Sequence, residues 1–171
     1  MRYRMSEEPN SRTVHLLLSY AVRYPEIATV RYDPRRMTLR LAFLVTGELS
    51  PADYERAEGK LLETLEVYHL LEQRRAQTVE LYHEGLGGLN TIALERDVAT
   101  LTPEEIFTVV EAMRELFPGR VLADPVEFFG EEEMMAQDEM IEQMLASLSK
   151  DRSAANLIAI REDGRLMFFH K

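Results

Sequence analysis

One pattern occurs twice in this chain and constrains its fold more than any other feature. Residues 28–46 alternate as a β-hairpin should and run into Leu49-Ser50-Pro51-Ala52-Asp53-Tyr54. Residues 78–98 do the same and run into Leu101-Thr102-Pro103-Glu104-Glu105-Ile106. Each junction reads as a helix start. A Ser or Thr hydroxyl accepts from a free N–H of the first turn, and a proline sits where its missing N–H costs nothing. An acid three residues after the hydroxyl completes an approximate capping box. Beyond the starts, Ala57, Leu61 and Leu65 match Val109, Met113 and Phe117. A unit repeated in this way predicts two copies of one hairpin–helix structure.

The remaining elements fit around that repeat. Val14, Leu17, Leu18, Ala21 and Val22 form one stripe of a helix over 11–24, with Ser11 as its cap and Pro25 as its end. The first hairpin turns at Asp33-Pro34-Arg35-Arg36, and Met37, Leu39, Leu41, Phe43 and Val45 return on one face. Such alternation marks a sheet with one buried and one wetter face. The helix after Ser50 should run to Gln73, and the one after Thr102 to Phe117-Pro118-Gly119. The second hairpin connects through Glu84-Gly85-Leu86-Gly87-Gly88 and returns with Ile92, Leu94 and Val98. Residues 119–130 read as irregular, and 131–149 as a helix with Glu131, Glu132 and Glu133 at its positive end. A third hairpin closes the chain, with Asp163-Gly164 between apolar runs.

The order is α-ββ-α-ββ-α-α-ββ. It predicts a single α+β domain over 1–171, in two layers: a six-stranded, mainly antiparallel sheet of three hairpins with helices on one face. Its parts are repeat-like units at about 28–73 and 78–117, and a C-terminal helix and hairpin at 131–171.

Composition excludes several chemistries. There is no cysteine, which removes disulfides and thiolate ligands. The first residues carry no apolar run of the signal-peptide kind, and no stretch reaches the roughly 20 apolar residues of a membrane span. Cytosol is the default expectation. Arginine outnumbers lysine 17 to 3, an Arg-rich, Asn-poor usage that fits a thermophilic source or a GC-rich genome equally. Residues 1–45 hold eight Arg against four acids, whereas 121–149 hold eight acids and no base. An overall charge of −10 argues against nucleic acid as a partner.

No catalytic signature stands out. His15, His69, His83 and His170 are scattered, and no His-Glu-x-x-His zinc pattern occurs. Glu66-Val67-Tyr68-His69 has a metal-ligand spacing but stands alone, so it reads as a solvent-facing pair. His83 and Glu84 beside the glycine loop 85–88 are the weak catalytic candidates. Glycine loops can cradle phosphate through backbone N–H groups, with histidine as acid or base. No cofactor and no metal is indicated. The helix at 131–149 concentrates four methionines, and Met134, Ile141, Met144, Leu145 and Leu148 form a broad apolar arc. Methionine adapts to varied surfaces, so this arc is the candidate partner-binding face. The expectation is a non-catalytic cytosolic binding or regulatory protein acting as a homodimer. The alternative is a small hydrolase or phosphate-ester-binding enzyme using His83 and Glu84.

Overall fold

Hairpins separated by helices do form one antiparallel sheet. The computed structural model describes residues 16, 17, 19, 20, 23–124, 130–150, 156–162 and 165–170. The proposed Ser11 cap, His15 and the Asp163-Gly164 turn lie outside these residues. The first helix, α1, is helical at residues 16, 17, 19, 20 and 23. Then come β1 (Ile27–Asp33), β2 (Thr38–Thr46), α2 (Pro51–Leu71), β3 (Val79–Leu86) and β4 (Leu89–Asp97). The chain continues through α3 (Pro103–Leu116), α4 (Glu131–Leu148), β5 (Leu157–Glu162) and β6 (Arg165–His170). The sheet order is β3-β4-β2-β1-β5-β6, and every neighbouring pair is antiparallel.

The repeat is preserved with two length changes of opposite sign. Strand β1 maps onto β3 by a step of 53, Asp33 to Leu86 (86 − 33). The turn at 34–37 shrinks to Gly87-Gly88, so β2 maps onto β4 by 51, Thr38 to Leu89 (89 − 38). The linker to the helix then grows from 47–50 to 98–102, and α2 maps onto α3 by 52, Pro51 to Pro103 (103 − 51). Odd steps in the strands keep the inward face inward, since a slip of one residue would turn every side chain over. Gly87 and Gly88 have φ of 56° and 83°, the geometry of a two-residue hairpin turn that other residues enter only with strain. The expected five-residue glycine loop is thus mostly strand, because Glu84 and Leu86 pair with Thr91 and Leu89.

Both helix caps form as the sequence indicates. The Ser50 hydroxyl accepts from the Asp53 N–H at 3.1 Å, and the Thr102 hydroxyl accepts from the Glu105 N–H at 3.2 Å. Inward residues Leu39, Leu41, Phe43 and Val45 share one core with Leu61, Leu65, Val109 and Met113 of α2 and α3. Ile141, Leu145 and Leu148 of α4 join the same core. None of the outward residues Thr29, Arg31, Arg40, Ala42, Leu44 and Ile160 belongs to it. Among the described residues, helices cover one face of the sheet and no helix covers the other. No helix among the described residues is long and apolar enough to cross a membrane.

Candidate binding surface

Cross-strand register aligns the open face into rows. One runs Glu80, Glu95, Arg40, Arg31, Ile158, Phe169; the next runs Tyr82, Ala93, Ala42, Thr29, Ile160, Met167. The face is therefore charged from β3 through β1 along the first row, small in the middle of the second, and apolar at its β5–β6 end.

The charged end is closely knit. Glu95 is 2% exposed and accepts from Thr38 Oγ1 at 2.6 Å, Arg36 Nη1 at 2.8 Å and Arg40 Nη2 at 2.8 Å. Burial pushes its carboxyl pKa up, but the hydrogen bonds from Thr38 and Arg40 outweigh that and hold it below the ordinary range. Arg36 also reaches Glu80 at 3.2 Å, and the Tyr82 hydroxyl donates to Glu80. Those donors lower the Glu80 pKa, and the bond to Glu80 raises that of Tyr82. Arg40 lies 3.9 Å over the Tyr82 ring, a cation–π contact. Long side chains thus cover the sheet here without a helix. At the other end Ile158, Ile160 and Met167 are half-buried and Phe169 is exposed.

His83 and Glu84 do not converge. Successive residues of a strand point to opposite faces. His83 stacks on Tyr54 of α2 with ring centroids 4.3 Å apart, on the helix side of the sheet, while Glu84 points to the open face. The Asn90 Oδ1 accepts from His83 Nε2 at 3.0 Å, and Asn90 Nδ2 donates to the Gly47 carbonyl at 2.7 Å. Beside them a groove of about 490 Å³ is lined by Gly47, Ser50, Asp53, Gly85, Gly88 and neighbouring residues. The N-terminus of α2 does border this groove, but Glu48 and Asp53 put negative charge there, which opposes a phosphate. Among the described residues no group of three His, Asp or Glu side chains gathers in a way that could hold a metal.

The methionine helix is mostly spent on the chain's own core. Ile141, Leu145 and Leu148 are 0%, 3% and 4% exposed, and Met134 and Met144 are half-buried. Only Met135 and Met140, outside the expected arc, are well exposed. Ile141, Leu145 and Leu148, three and four apart on α4, belong to the core shared by sheet and helices, and this takes the apolar stripe inward.

A second charged cluster has no counterpart in the sequence reading. Arg96 is 0% exposed, on the helix side of β4. Its Nε donates to Glu105 Oε2 at 2.8 Å and its Nη2 to Glu105 Oε1 at 3.1 Å, a fork-on-carboxylate pair. Nη1 pairs with Asp97 and with the Thr78 carbonyl, and Nη2 reaches Thr100 Oγ1. Glu105, also 0% exposed, is bonded to His69 Nε2 of α2 as well. His69 therefore turns inward instead of forming a solvent-facing pair with Glu66, which stays exposed. The reason is that α3 brings a buried carboxylate alongside α2. The Tyr68 and Thr102 hydroxyls meet 2.7 Å apart next to it. Burial raises the Asp97 pKa, but Thr100 and the Thr78 N–H outweigh it and leave it lowered. The sequence did hold a signal: along β4 the inward positions Ile92 and Leu94 are followed by Arg96, a charge in an apolar alternation.

Comparison with protein-family models, with curated proteins and with solved structures returns no significant match.

Proposed function

We propose that this chain is a non-catalytic binding or regulatory protein of the cytosol, working as a homodimer through surface contact. The observation that carries this reading is the open sheet face, which ends in an apolar strip at β5–β6. Apolar surface at the unpaired end of a sheet suits protein contact, whereas a substrate site calls for a concave pocket with converging polar groups. His83 and Glu84 leave the sheet on opposite sides, and the charged side chains of both clusters are already bonded to one another. Sedimentation equilibrium at micromolar concentration is the test. A mass twice the 19.8 kDa of the chain is expected, and a mass of 19.8 kDa contradicts the reading. Hydrolysis of a generic phosphomonoester that disappears in His83→Ala would favour the enzyme instead.

A further inference from the structure

The two edges of the sheet are β3 and β6, and they differ in how they are guarded. Edge strands expose backbone donors and acceptors, and soluble proteins protect them with charge, proline, bulges or cover. Strand β3 reads VELYHEGL and carries Glu80, Glu84 and a glycine. Strand β6 reads RLMFFH, with four apolar residues in succession and neither acid nor proline.

Pairing parity says which groups of β6 have no strand partner among the described residues. The Gly87-Gly88 turn of the second hairpin makes Leu86 and Leu89 a hydrogen-bonded pair. Bonded and non-bonded pairs alternate along an antiparallel ladder. Carried from Leu86–Leu89 across the registers of all six strands, that alternation makes Ile160–Met167 and Ile158–Phe169 bonded pairs. Arg165, Met167 and Phe169 therefore bond to β5, and the N–H and C=O of Leu166, Phe168 and His170 point to the outer edge.

We propose that β6 pairs antiparallel with β6 of a second copy about a two-fold axis at Phe168, joining two sheets into one. This rests on the homodimer reading and supplies its interface. The occupant follows from charge and from register. A chain of net charge −10 repels itself over most of its surface, and the β6 edge is the sheet edge without carboxylates. A register centred on Phe168 places Phe168 opposite its copy and Leu166 opposite the copy's His170. Every outward N–H and C=O of the strand then finds a partner. It also keeps the faces continuous: Met167 falls opposite Phe169 of the copy on the open side, and the two apolar strips merge. A register centred on Met167 leaves His170 without a partner from the strand.

The chain has no cysteine, so Phe168→Cys introduces one thiol on the axis. Cα atoms of a hydrogen-bonded pair lie about 5.5 Å apart, within reach of a disulfide. Mild oxidation should convert most Phe168→Cys to a covalent dimer on a denaturing gel, while His83→Cys on the β3 edge stays monomeric. Phe169→Lys, which changes an exposed side chain, should halve the native mass while the circular dichroism spectrum stays that of the folded chain. A native dimer that neither cross-links through Phe168→Cys nor responds to Phe169→Lys overturns this interface and leaves the homodimer reading standing. A native monomer overturns both.

Discussion

The two hairpin–helix units share one frame and bury different chemistry in it. Val45 in the first unit corresponds to Arg96 in the second, by the β2-to-β4 step; both are 0% exposed. Asp53, at the third position of α2, corresponds to Glu105 of α3, by the helix step. Asp53 is exposed, and Glu105 is held by Arg96 and His69. Cap and alternation therefore set where the helix starts and which face it covers. Whether the first turn then faces water or a buried ion cluster depends on one inward strand position. Their outer strands differ too: β1 is covered by β5, while β3 remains an edge and carries acids.

The largest effect should come from removing the charge that only the second unit buries. Arg96→Met leaves Glu105 buried without its main partner and should cost about 3–5 kcal/mol, read by chemical denaturation. Adding Glu105→Leu makes the second unit resemble the first and should recover most of the loss. If Arg96→Met alone is neutral, the cluster does not distinguish the units.

Acid should act next, again on the second unit. Glu95 and Asp97, both on β4, have lowered pKa values in the fold. A group whose folded pKa is depressed stabilises above its unfolded pKa, and the contribution is lost as pH falls through the folded value. Stability should therefore drop as pH is lowered from about 4.5 and 3.8, the ordinary values for these groups. Glu95→Gln should flatten that limb, and an unchanged pH profile would deny Glu95 this role.

Smaller differences test the caps. Thr102→Ala should cost about 1–2 kcal/mol and Ser50→Ala about 1 kcal/mol or less, each measured from its denaturation midpoint. The order follows because the Thr102 hydroxyl is also bonded to Tyr68 and is 8% exposed, whereas Ser50 is exposed. Equal losses would erase the distinction between a surface cap and a buried one.

The frame was legible because it depends on local physics. Proline after a hydroxyl residue marks a helix start, and period-two apolar spacing in Leu39, Leu41 and Phe43 marks a strand face. The strand order and the charge clusters depend on partners distant in sequence. Arg96 meets His69 across 27 positions and Glu95 meets Arg36 across 59, separations that local patterning does not encode. The glycine run looked like a loop because glycine composition is the same in a loop and in a strand ending at a tight turn; hydrogen-bond register decides between them. The α4 arc looked available for the same kind of reason, since an apolar stripe does not say whether it faces its own core or another chain.

Amide hydrogen exchange separates the two sheet edges residue by residue. In a dimer joined through β6, the amides of Leu166, Phe168 and His170 should be as protected as those of Met167 and Phe169, which bond to β5. The outward amides of Leu81 and His83 on β3 should exchange quickly in the same sample. Fast exchange at Leu166, Phe168 and His170, matching the β3 edge, would rule out pairing through β6.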